Sequence, residues 1–101
     1  MKVTVTQTGG VLGFPRRVQL DSDALSGSDA LELARRARAV EPATAPPRSY
    51  PGELGYSVRV EGGDHPPVEA GYVDSSMPDQ VRDLVAWVED HPKQVRPGPR
   101  E

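Results

Sequence analysis

Twice in this chain a run of alternating apolar and polar residues stops at a double glycine and a second extended run follows. In Val3-Thr4-Val5-Thr6-Gln7-Thr8 the valines fall on one face and the threonines on the other, the period-two pattern of a half-buried strand rich in β-branched residues. Gly9-Gly10 permits the positive φ angles of a hairpin bend, so residues 11–20 are expected to return as the partner strand. Pro15 has no N–H to give to a ladder, which predicts that this strand is an edge or is bulged between Gly13 and Pro15. Further on, Tyr56, Val58 and Val60 alternate with Ser57 and Arg59, Gly62-Gly63 supplies a turn, and Val68 to Val73 returns, predicting a second hairpin.

The helical period appears after each hairpin. Ala30, Leu33, Ala34, Ala37 and Val40 recur at helical spacing with Glu32, Arg35, Arg36 and Arg38 toward water, predicting a helix from about Asp29 to Val40 with Ser28 or Asp29 as N-cap. Pro42 ends it. Glu41 to Gly55 then carries Pro42, Pro46, Pro47 and Pro51 and reads as a long, mobile connection. A last helix starting near Pro78, capped by Ser75 or Ser76, would bury Val81, Leu84, Val85 and Val88, with Trp87 closing the core beside them. The order ββαββα predicts an α+β fold: a four-stranded antiparallel sheet of two hairpins with two helices packed on it. Residues 1–91 form the expected domain, and 92–101, with Pro97-Gly98-Pro99, the expected flexible tail.

A chain of 101 residues has room for one core. There is no isoleucine and one phenylalanine, so valine and leucine must fill nearly all of it. The absence of cysteine excludes a disulfide framework and a thiolate metal site, and a cytoplasmic address is the expectation. Met1-Lys2 runs straight into the first strand with no apolar block of signal-peptide length, and no run approaches the roughly 20 apolar residues of a membrane span. A formal charge of -3 speaks against nucleic acid, which needs clustered Lys and Arg.

Catalytic patterns are missing. The chain has two histidines, His65 and His91, both beside prolines and read as loop residues, so the paired histidines of a zinc protease are not available and no metal ligand is assigned. No serine sits in a nucleophile elbow, and Gly9-Gly10-Val11-Leu12-Gly13 lacks the Lys-Ser/Thr ending of a phosphate loop. Arg35, Arg36 and Arg38 read as a solvated helix face paired with Glu32. Arg16 and Arg17 differ, because they follow an irregular apolar segment.

That segment, Thr8-Gly9-Gly10-Val11-Leu12-Gly13-Phe14-Pro15-Arg16-Arg17 followed by Val18-Gln19-Leu20-Asp21, resembles the start of the emfourin family, small bacterial inhibitors of thermolysin-like metallopeptidases. The Leu/Ala/Arg helix, the Tyr56-to-Gly63 block and the terminal helix around Leu84 to Val88 follow in the order of that family. The resemblance implies a non-catalytic, monomeric inhibitor that needs no cofactor and occludes the active-site cleft of such a protease. Thr8, Gly9, Gly10, Val11, Leu12, Gly13, Phe14, Arg16 and Arg17 would then be the partner-binding residues, with Val11, Leu12 and Phe14 as the bulky apolar side chains such clefts favour. Pro15 would resist cleavage by fixing φ and removing a donor. The alternative is a small non-catalytic regulatory or scaffold interaction domain whose partner is not a protease; an exposed sheet edge is, in general, where another protein could dock.

Overall fold

The computed structural model describes residues 1–8, 16–41, 54–62 and 66–96. Within them run β1 (Lys2–Thr8), β2 (Arg16–Asp21), α1 (Gly27–Ala37), β3 (Gly55–Glu61), β4 (Val68–Val73) and α2 (Asp79–Asp90), with a single 3-10 turn after each hairpin. The four strands form one antiparallel sheet in the order β2-β1-β3-β4, an α+β fold with the expected ββαββα chain order. β2 is an edge, as Pro15 required. Of the connection read from Glu41 to Gly55, residues 42–53 lie outside the described residues, as does the segment 9–15.

Register explains why one face is dry. Leu20, Val3, Val60 and Val68 stand in one row across the four strands, and Val18, Val5, Val58 and Ala70 in the next. Because side chains alternate, both rows point to the same side. Val3, Val58 and Leu20 are fully buried there under Leu33 and Ala37 of α1 and Val81, Leu84 and Val88 of α2. The helices pack on each other, with α2 against β2. Trp87 is half-buried against this core, in line with a structural role.

Both helix caps differ from the expectation. α1 begins at Gly27 with Ser26 as N-cap, its Oγ accepting from Asp29 N–H at 3.3 Å, so neither Ser28 nor Asp29 caps it. The apolar stripe misled because the first turn faces water: Ser28 is exposed, and Asp29 is favoured there by the positive end of the helix dipole. α2 begins at Asp79 with Pro78 in the N-cap position and no side-chain cap. Ser75 and Ser76 belong instead to the preceding 3-10 turn, Asp74–Ser76, separated from the helix by the buried Met77. Proline's fixed φ, here -60°, sets the entry without a hydroxyl.

Beyond α2 the chain turns back on the sheet. Val95 N–H donates to Gln19 carbonyl and Gln19 N–H to Val95 carbonyl, both at 2.8 Å, so the outer edge of β2 carries one bridge to the C-terminal segment. On the opposite edge, the backbone of Glu69, Gly71 and Val73 points away from β3, since their even-numbered neighbours pair inward, as Asp74 N–H does to Leu54 carbonyl.

Candidate functional site

The antiparallel order gathers one set of strand ends. Thr8 at the end of β1 lies opposite Gly55 at the start of β3, and Gln7 lies between Arg16 of β2 and Tyr56, which itself faces Tyr72 of β4. The connection 9–15 therefore leaves and rejoins the sheet at this end. The connection 42–53 rejoins it there too, and the Glu41 backbone at its other side opposes the rise in the Tyr72 pKa. Of the expected partner-binding residues, Thr8, Arg16 and Arg17 are described and all three are exposed. Gly9, Gly10, Val11, Leu12, Gly13 and Phe14 lie outside the described residues.

Strand alternation separates the two arginines. Arg16 shares the helix-side row with Gln7, Tyr56 and Tyr72, whereas Arg17 shares the open-face row with Thr6 and Ser57. Around Arg16 the surroundings are charged and partly dry. Burial raises the Tyr56 phenol above its ordinary 10.0, the carboxylates of Asp74 and Glu89 add to this, and Arg82 and Arg16 oppose it. Burial also raises Tyr72. Asp74 is itself held by Arg82, which reaches its Oδ1 at 3.1 Å and its carbonyl at 2.7 Å.

On the open face Arg17 borders a shallow depression of about 200 Å³ with Thr4, Thr6, Gln19, Ser57 and Glu69. Arg59 there is bridged by Glu61 and Glu69, each at 3.6 Å, and Ser57 Oγ donates to Glu69 at 3.0 Å. Among the described residues Arg17 forms no ion pair.

A second polar cluster escaped the sequence reading. His91 is not a solvated loop residue: its side chain is 9% exposed, with Nε2 2.9 Å from Asp29 Oδ2. Its ring lies 5.1 Å from that of Trp87, and the Arg36 guanidinium sits over the other ring at 5.8 Å. Arg36 Nε is 2.7 Å from Glu32 Oε2 but off the line a hydrogen bond requires, so that contact is an ion pair rather than a directed bond. Arg35 also pairs with Glu32, and its hydrogen bond is the main reason the Glu32 carboxyl is held below its ordinary 4.5. The spacings Glu32/Arg36 and Trp87/His91, each four residues on a helix, were the available signal. Among the described residues no three His, Asp or Glu side chains converge as metal ligands would.

The molecule is thus a small α+β domain with exposed Thr8, Arg16 and Arg17 at one end of its sheet. The Emfourin family model matches residues 5–89, nearly the whole chain, and the chain belongs to the emfourin family. Membership carries the general role of a protease inhibitor. Comparison with curated proteins and with solved structures gives no match.

Proposed function

We propose that this protein inhibits a thermolysin-like zinc metallopeptidase by laying the sheet end between Thr8 and Arg16 over the active-site cleft. The observation that carries the reading is the family match across residues 5–89. The geometry is compatible with it in three respects. The connection 9–15 springs from neighbouring strands, so its ends are held rigidly and little ordering is needed at them on binding. Val11, Leu12 and Phe14 lie on that connection and would supply the apolar contacts. Arg16 and Arg17, one on each face, would meet carboxylates on the two rims of a cleft. The inhibitor acts as a monomer and without a cofactor.

Titration of a purified thermolysin-like protease, followed by peptide cleavage, tests this. Activity should fall to near zero at one inhibitor per enzyme and should stay there when zinc is added in excess, since the chain has no thiolate to compete for the metal. Full activity at a large molar excess of inhibitor would overturn the reading, and recovery in step with added zinc would replace occlusion with chelation.

A further inference from the structure

His91 joins two structures through the two nitrogens of one ring. Lys93 N–H donates to Nδ1 at 3.0 Å, and a backbone N–H can only donate, so Nδ1 carries no proton. The proton of the neutral ring therefore sits on Nε2 and points at Asp29 Oδ2, 2.9 Å away. One nitrogen clasps α2 to α1. The other shapes the turn that starts the C-terminal segment, continued by Gln94 N–H donating to the His91 carbonyl at 3.2 Å.

Among the described residues, the backbone contact of that segment with β2 is the pair of bonds between Val95 and Gln19; the Val95 side chain is 60% exposed, and Gln94 Oε1 is buried without a hydrogen-bond partner. The charged groups around the ring are Asp29 and Arg36 from α1, Asp83 and Asp90 from α2, and Lys93 from the segment itself. A proton taken up from solvent must go to Nδ1. It then faces the Lys93 N–H, two donors at hydrogen-bond distance, and a ring flip gives no relief because both nitrogens of the imidazolium donate. On the Nε2 side the bond to Asp29 becomes charge-assisted and stronger. One protonation thus tightens the helix clasp and removes one of the two bonds that shape the turn.

We propose that His91 is an acid-sensitive latch whose protonation loosens residues 92–96 from β2.

The test follows amide exchange in the free protein by NMR between about pH 8 and pH 5, the range in which histidine titrates. Protection factors of Gln19 and Val95, corrected for the intrinsic pH dependence, should fall by at least about tenfold, roughly what one net hydrogen bond supplies. The fall should share its midpoint with the His91 ring signals while Val58 in β3 keeps its protection. Val95→Pro, which removes the donor to the Gln19 carbonyl but keeps the carbonyl that accepts from Gln19 N–H, should lower Gln19 protection even at the upper end of that range by weakening the bridge without touching the latch. Protection that stays constant while the ring titrates overturns the latch. Since the exchange measurement contains no protease, a failure of inhibition as such bears only on the function proposed above.

Discussion

Arg16 and Arg17 adjoin in sequence and stand on opposite faces of the sheet, so no single flat surface can engage both. If the partner straddles the sheet end, Arg16→Ala and Arg17→Ala should each slow association by a few fold and reduce its salt dependence, as removal of a rim charge does. The two effects should add in the double variant, because the residues share no partner. Stopped-flow association at several salt concentrations checks this, and unchanged rates for both variants would move the interface elsewhere. At the other end of the sheet, Gly62 adopts φ +101°, and a Cβ built there would lie 3.0 Å from Met1 Cα. Gly62→Ala combines a disfavoured backbone with a backbone neighbour that cannot swing away, so a loss of about 1–3 kcal/mol is expected in urea denaturation. An unchanged midpoint would show that the turn and the first residue move apart freely.

Among the elements, α1 shows most plainly where a linear reading stops. Its buried positions Leu33 and Ala37, with Val40 buried just past the helix end at Ala37 and not inside the helix as expected, could be read from periodicity, since core positions recur whatever the helix packs on. Its start could not, because Ser26 and Ser28 are chemically alike and only the backbone decides which serine is extended; Ser26 is, at ψ 163°. Ser26→Ala should therefore cost about 1 kcal/mol and Ser28→Ala almost nothing in thermal or urea unfolding, with the reverse ranking placing the cap back at Ser28. The same limit hid His91. Asp29 lies 62 residues away in sequence, and no local pattern connects a first helical turn to the end of another helix. The alternating strands were legible because each carries its own inside and outside, and the hairpin end with Thr8, Arg16 and Arg17 was legible with them. The pairing of β1 with β3 was not, since hydrophobic rows of valine would fit several strand orders equally well.

For the molecule as a whole, the row Gln7, Tyr56 and Tyr72 marks where the dry side of the sheet gives way to the candidate binding end. Both phenols are raised above 10.0, first by burial. A group raised on folding contributes stability that is intact below its unfolded value and is lost as pH climbs through the folded one, so alkali should loosen this end only above the ordinary tyrosine range. Phenolate absorbance against pH should show part of the signal of the chain's three tyrosines appearing above 10.0, in step with loss of structure by circular dichroism. A complete transition centred on the ordinary value would mean that both rings are wet.

The central place of β1 beside β3 sets a timetable for folding. As the chain leaves a ribosome, β1 and β2 emerge early, but two strands alone make a marginal ribbon, and the inner neighbour of β1 is still unmade. Thr8 must wait for Gly55, and Lys2 for Glu61, so closure of the sheet spans most of the chain and comes late. Until then Val3, Val5, Val18 and Leu20 are exposed together on a sticky, incomplete surface. The charged and threonine-rich reverse side of the same strands, with Lys2, Thr4, Thr6 and Arg17, keeps that nascent ribbon hydrated on one side while the rest of the molecule is synthesised.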